Sequence, residues 1–408
     1  MPTRNQASFI RESVQSVLAQ VADLPGTLEL VVADGASTDG TIEILAEMAA
    51  VHPGLIHWVS EPDRGPADAV NKAVARSRAD VVGWLNSDDL YTAGAAARAL
   101  AVLRQQPTLA MVYGEGDHVD VGGAYLDRYP TRGPSTQLAD WADGCHICQP
   151  TAFFRRSVFQ ALGGLDTRWR TAFDYDFWLR LLKTYPRQVG FVPQVQALSR
   201  LHDEGITLRS RELVAMEGLQ VVRAHFGPTT AHWLLTHAQE LLAEHPFGAA
   251  GRDPRAHLLT LADLAASCLL PGALADFERK LAGHRAMQLA SDRFGISVQS
   301  DGWMLGEGQV RLLQGAPAVR LIRLHCRHAS PVGGCLRVAV HTPEGEAIEY
   351  EWMRTGPFVL EIPVADQRAQ AQLTFRVRSR DTFVPAALGR GSDDRRPLAF
   401  LVDNAEFV

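Results

Sequence analysis

DVVGWLNSDD, residues 80–89, runs from an apolar stretch into Asn86, Ser87 and the adjacent carboxylates of Asp88 and Asp89. Adjacent carboxylates repel each other, so a chain that sets them at the end of a strand needs a reason. Two earlier runs repeat the arrangement. LELVVAD (28–34) reads as a strand ending in Asp34, and LIHWVSE (55–61) as a strand followed by Pro62 and Asp63. Helical stretches lie between and after them, at about 41–51 and 67–78, with an Ala-rich helix beyond Asp89. Apolar runs of this length alternating with helices predict an α/β domain on a mostly parallel sheet. In such sheets ligands bind beyond the carboxyl ends of the strands, where Asp34, Asp63 and Asp88 fall.

The rest of the chain bounds the answer. It has 408 residues, enough for two or three domains, with 46% hydrophobic and 21% charged residues. The net charge of -6 argues against a nucleic-acid binder, whose footprint would be basic. Five scattered Cys predict free thiols in a reducing cytoplasm, and Cys145-His-Ile-Cys148 lacks the second ligand pair of a zinc site. No apolar run approaches the roughly 20 residues of a membrane span, and MPTRNQASF has no secretory-signal pattern. Three segments are expected: an α/β domain over 1–208, a helical segment over 209–287 with apolar residues at three- and four-residue spacing, and an all-β sandwich over 288–408 built from short alternating runs.

Each acidic strand end has two readings. Asp88 and Asp89 could hold a hard divalent cation, Mg²⁺ or Mn²⁺, which takes one or two carboxylates plus substrate phosphates; they could equally cap the next helix. ADGASTDGT (33–41) offers Asp34 and small residues, Ser37 among them, that let backbone approach a ligand, while Asp39 could be a plain helix cap. EPDRGPADAVNKA (61–73) sets Asp63, Arg64 and Gly65 ahead of a helix bearing Asp68, Asn71 and Lys72; Asp68 with Lys72 could be a surface pair, whereas Asn71 on the same face suggests ligand contact. Downstream, TAFDYDFWLRL (171–181) supplies Asp174 and Asp176, and His202 follows a strand as either a loop histidine or a third metal ligand. In the C-terminal segment Trp303 is either core or a ring on which a sugar stacks.

PTRNQASFIRESVQSVLAQ (2–20), VVADGASTDGT, EPDRGPADAVNKA, GWLNSDD, CQPTAFFRRSVFQALGGLD (148–166) and FDYDFWLRL (173–181) together resemble the family 2 inverting glycosyltransferases of the GT-A fold, over about residues 1–205. The resemblance implies a nucleotide-diphosphate sugar as donor and Mn²⁺ or Mg²⁺ as cofactor. It implies that Pro2, Thr3 and Asn5 border the nucleotide, that Asp34 receives the base, that Asp63 and Arg64 lie near nucleoside and phosphates, and that Asp68 and Asn71 belong to the same donor site. Asp88 would hold the metal with Asp89 beside it, Asp174 would be the general base, and Gln149 with the Gly163–Asp166 loop would border a saccharide or lipid-linked saccharide acceptor. The implied setting is bacterial surface-polysaccharide synthesis in the cytoplasm, with room for a peripheral seat at the inner face of the membrane. Three departures stand out. Phe173 replaces a Glu that supports the base, Asn86 replaces the first Asp of an Asp-x-Asp pattern, and no apolar strand precedes Pro2, so the central sheet is expected to be one strand short. The Asn86 departure implies a weaker hold on the metal, while the missing strand and Phe173 support the alternative, a carbohydrate-binding or scaffold protein on a degenerate transferase domain.

Overall fold

A computed structural model describes all residues except 25, 135–136, 245–253, 290–293, 314–318, 365–371, 389–391, 393 and 395. They group into two compact units, Met1–Thr229 and Thr230–Val408.

In the first unit the alternating runs form the expected elements. Leu30–Asp34 and Ile56–Ser60 pair in parallel, and Pro2–Thr3 adds a two-residue strand against Ala33 and Asp34. The Met1 ammonium lies ahead of this strand, donates to the Val31 carbonyl at 2.8 Å, and is lowered by burial to a pKa of about 5. Helices Thr41–Val51 and Pro66–Arg76 follow their strands. Ile10, Val14, Leu30, Val32, Leu45, Met48 and Ile56 build one core cluster with Leu85. Such side chains each contribute roughly 1.5–3 kcal/mol when fully buried. A second, six-stranded sheet carries Val81–Gly83, Phe153–Arg155, Met111–Val119, Val189–Arg200 and Leu90–Tyr91 in that order, with Tyr125–Arg128 paired to Met111–Val119. It is mixed. Met111–Val119 runs parallel to Val189–Arg200, and the other pairs are antiparallel. An apolar cavity of about 140 Å³ lies between Leu30–Val31 and Val81–Gly83, the facing strands of the two sheets.

The first unit reaches past the boundary expected near 208. Helix Arg211–Phe226 belongs to it, because its buried Glu217 and half-buried His225 are bonded to helix Phe173–Thr184 and the residues just before it. The second unit opens with helices His232–Glu244, Pro254–Leu264, Ala273–Gly283 and Arg285–Leu289. Two antiparallel sheets follow, of five and four strands. Leu321–His328 alternates between buried and more open positions, the period-2 pattern of a strand with one face in a core. Trp352 of the five-stranded sheet meets Phe358 of the four-stranded sheet at 4.1 Å between ring centroids, and Phe358 meets Phe400 at 5.5 Å, so the sheets share a core. Trp303 is half-buried, edge-on to Phe383 at 5.4 Å.

Candidate active site

Three loops at strand ends carry the expected donor residues. Asp34 is buried, and its carboxylate accepts from the Ser37 amide at 3.0 Å, the Ser60 hydroxyl at 2.6 Å and the Ser37 hydroxyl. Ser37 in turn accepts the Asn5 amide at 2.7 Å, while the Asn5 side chain accepts the Thr38 amide at 2.9 Å. Pro2 and Thr3 are held in the strand beside this loop. Asn5 (φ 52°) and Ala36 (φ 58°) take the left-handed conformation that side chains disfavour, and such strain gathers at ligand-binding loops. Asp39 stands one residue ahead of Gly40, the N-cap of helix Thr41–Val51, and ties the loop together by accepting the Thr41 amide at 3.1 Å and the Ala7 amide at 3.0 Å.

Gly35 explains how Asp63 joins the loop. A Cβ at Gly35 would sit 2.5 Å from Asp63 Oδ2, so only glycine lets that carboxylate close over the turn. Asp63 also accepts the Gly65 amide at 2.8 Å. Gly35→Ala is therefore expected to push the Asp63 carboxylate aside. Since that carboxylate ends a side chain able to turn, the melting temperature should barely move, while affinity for the nucleotide that the resemblance implies here should fall by roughly tenfold, the scale of one lost hydrogen bond. Isothermal titration with a nucleoside diphosphate checks this.

The next helix divides its expected donor residues. Arg64 reaches Asp68 at 3.0 Å and Lys72 lies 3.4 Å from it. Burial raises the Asp68 pKa, but these partners outweigh it and hold the carboxyl below its usual value. Asn71 has both ends of its amide bonded elsewhere: Nδ2 donates to the Leu165 carbonyl and Oδ1 accepts the Leu165 amide, both at 2.8 Å. It thereby fixes the Gly163–Asp166 loop, and a Cβ at Gly164 would come within 2.6 Å of its oxygen.

At the end of Val81–Gly83 the acidic pair separates. Asp88 Oδ2 lies 3.0 Å from His202 Nε2, and His202 is covered by the Phe9 ring at 4.7 Å. Asp89 points the other way, accepting the Arg200 amide at 2.9 Å and Asn86 Nδ2 at 3.2 Å. Burial, reinforced by the Asp88 charge, raises the Asp89 pKa well above the carboxylate range. So Asp88 and His202 are the two expected metal residues whose side chains meet, and Asp89 serves the loop's framework. Among the described residues no cluster of three His, Cys, Asp or Glu side chains could by itself hold a metal ion. An oxygen–nitrogen pair fits a divalent cation whose remaining positions a diphosphate and water complete.

Gln149 and Asn86 tie the site to the sheet. Gln149 donates to the Trp84 carbonyl at 2.6 Å and accepts from Asn86 Nδ2 at 2.8 Å. Phe173, standing where the resemblance expects Glu, stacks on Trp84 at 5.8 Å and so sets helix Phe173–Thr184 against the strand end. Asp174 is in the first turn of that helix, half-buried, accepting its neighbour's amide at 2.7 Å. Burial raises its pKa to about 6, against the pull of that backbone hydrogen bond. Asp176 points to the opposite flank, with Arg180 at 2.8 Å and His225 at 2.9 Å.

Two residues were missed from sequence. Arg200 is a buried cation whose guanidinium binds the Asp88 carbonyl at 2.9 Å, the Val121 carbonyl at 2.6 Å and Glu12 at 2.6 Å, clamping the acidic loop from below. Glu217 receives the amides of Arg170, Thr171 and Ala172 at 2.8–3.0 Å and the Thr171 hydroxyl at 2.8 Å. These are the N–H groups just ahead of the Asp174 helix, where a carboxylate also meets the positive end of the helix dipole. Glu217→Ala is expected to leave these amides without their acceptor and to cost about 2–4 kcal/mol, read as an earlier urea midpoint, with activity falling because Asp174 loses its footing. An acid set between the apolar Leu213–Met216 run and Gly218–Leu219 was the one local sign of Glu217.

The family profile described as "Glycosyl transferase family 2" matches residues 1–163. A glycosyltransferase of PGL/p-HBAD biosynthesis from Mycobacterium bovis is 31% identical over 189 residues, covering 44% of this chain and 67% of its own length. The chain belongs to glycosyl transferase family 2. An uncharacterized glycosyltransferase of Mycobacterium tuberculosis is 32% identical over 179 residues, and the match spans 43% of this chain and 64% of that relative. The solved mannosyltransferase PcManGT from Pyrobaculum calidifontis, in complex with GDP-Man and Mn²⁺, is 24% identical with a TM-score of 0.43, over 70% of this chain and 80% of its own. The first unit, with its parallel strands, flanking helices and acidic strand ends, is the GT-A domain expected of the family. No helix among the described residues is long and apolar enough to cross a membrane.

Proposed function

We propose that the chain is an inverting, metal-dependent glycosyltransferase that moves a sugar from a nucleotide-diphosphate donor to a saccharide acceptor. The observation that carries this reading is the pairing of Asp88 with His202 at one strand end while the neighbouring helix presents Asp174 with its pKa raised to about 6. The loop of Asn5, Asp34 and Ser37, closed by Asp63 over Gly35, would hold the nucleoside, with Arg64 exposed nearby for the phosphates. Asp88 and His202 would hold Mn²⁺ or Mg²⁺, which offsets the charge that grows on the departing diphosphate. Asp174 would take the proton of the acceptor hydroxyl as its oxygen attacks the anomeric carbon. At neutral pH a carboxyl of this pKa is mostly ionised yet still basic enough for proton transfer. Gln149 and the Gly163–Asp166 loop, braced by Asn71, would border the acceptor. Growing surface polysaccharide is the acceptor that the family resemblance suggests, reached from the cytoplasm or the inner face of the membrane.

The test is nucleoside diphosphate release. Purified chain is incubated with UDP-, GDP- and dTDP-sugars, with Mn²⁺ and with chelator, and the anomeric configuration of the product is read by NMR. Release that needs the metal and gives an inverted product supports the reading. Retention of configuration removes Asp174 from the role of base. Binding of sugars without release from any donor would favour the scaffold alternative.

A further inference from the structure

The second unit holds a cavity of about 400 Å³, at the lower end of the roughly 300–1,000 Å³ typical of small-molecule sites. Helices His232–Glu244 and Ala273–Gly283 and the turn at Ser300 enclose it, with Leu235, Gln239, Lys280, Leu281, His284 and Ser300 in its lining. His284 is 5% exposed. Its Nδ1 accepts the Ala286 amide at 3.2 Å, so the neutral ring carries its proton on Nε2. Nε2 has no partner among the described residues. A buried N–H left unpaired costs about 1–3 kcal/mol, and native chains rarely retain one without a use. Beside it, Gly283 leaves open space where a Cβ would meet no atom within 4 Å.

Charge decides what the cavity takes. Lys280 is already paired with Asp276 at 2.8 Å, and Asp301, next to Ser300, with Arg396 at 2.7 Å. Burial lowers the His284 pKa to about 4, with the Asp301 charge opposing, so the ring is uncharged at neutral pH. An oxyanion would thus find a cation that is already neutralised. A neutral ring with hydroxyls would find an imidazole N–H, the Gln239 amide and the Ser300 hydroxyl as polar partners, and Leu235 and Leu281 as apolar lining.

We infer that this cavity is a saccharide subsite of the second unit, in which His284 Nε2 donates to a sugar hydroxyl. It does not rest on the transfer chemistry proposed above, because the residues lie within 230–408 and the readout is binding.

The test uses the full chain with ¹⁵N- and ¹³C-labelled histidine. The methyl glycosides of glucose, galactose, mannose and N-acetylglucosamine are titrated in turn and the imidazole signals followed by NMR, with His284→Leu fixing the assignment. At least one glycoside should shift the His284 signals saturably. His284→Leu should weaken that glycoside's binding, measured calorimetrically, by roughly tenfold. Gln239→Trp, at an exposed position on the cavity's rim, should block it while leaving the melting temperature unchanged, which keeps the test decisive if His284→Leu fails to fold. No shift with any of the four glycosides, or a shift that persists in Gln239→Trp, overturns the assignment. Donor hydrolysis should be the same in wild type and Gln239→Trp, so failure of the subsite and failure of the transferase reading are told apart.

Discussion

Asp174→Asn is expected to lower kcat by a factor of roughly 10² or more, the scale of a lost general base, while donor affinity stays unchanged. The wild-type pH profile gives the companion result. A base works only when ionised, so activity should rise with pH and reach half its plateau near the raised Asp174 pKa of about 6. That inflection should vanish in the variant. Stability runs the other way. The folded state binds this proton more tightly than the unfolded chain, whose carboxyl titrates near 3.8. The stabilisation is therefore complete below about 3.8 and is lost as pH rises through about 6. At neutral pH the Asn variant, which carries no charge to bury, should melt no lower than wild type. A variant that loses activity and stability together would point to a framework role. Loss of donor binding with turnover intact would take Asp174 out of the chemistry.

What the sequence disclosed of this site, and what it hid, follows from the range of the contacts. Asp34, Asp63 and Asp88 were legible because each follows an apolar run, and the end of such a run is a position that local pattern can mark, although the strand before Asp88 pairs antiparallel and the other two parallel. Helices Thr41–Val51 and Pro66–Arg76 were legible for the same reason: Asp39-Gly40 leads into the first and Gly65–Pro66 opens the second within a few residues. Asn71 was misleading. Its place one turn from Asp68 suggested a ligand, but its amide is spent on Leu165, 94 residues away, and no spacing rule reports such a partner. Glu217 was hidden in the same way, at 45 to 47 residues from the amides it receives. Phe173 looked like a missing carboxylate. In the fold its ring packs on Trp84, and a carboxylate from another helix meets the N–H groups ahead of Asp174 instead. The division of labour between Asp88 and Asp89 also needed coordinates, since two neighbours on a turn point apart and only the positions of His202 and Arg200 tell which faces which.

That division sets up the second large effect. Asp88→Asn should reduce metal-dependent turnover by roughly 10² or more, the scale on which enzymes lose rate when a charge that stabilises the transition state is removed. Donor binding in Mn²⁺ should weaken as well, because the ion would bridge protein and diphosphate. The fold should hold: Asp88 makes its buried link to Arg200 through its backbone carbonyl, at 2.9 Å, which the substitution keeps. Asp89→Asn should behave differently. One carboxylate oxygen accepts the Arg200 amide and the other accepts Asn86 Nδ2 at 3.2 Å, so an asparagine must turn an N–H donor toward one of these donors; the change perturbs the framework under Asp88, and the loss of rate should come with a loss of stability. Measuring turnover against Mn²⁺ concentration and thermal unfolding for both variants separates the two roles. A lower Mn²⁺ affinity with an unchanged melting temperature in Asp88→Asn, set against a lowered melting temperature in Asp89→Asn, is the expected pair. Wild-type metal dependence in Asp88→Asn would move the ion elsewhere. Equal effects in both variants would mean that the two carboxylates share it, against the opposed directions in which their side chains now point.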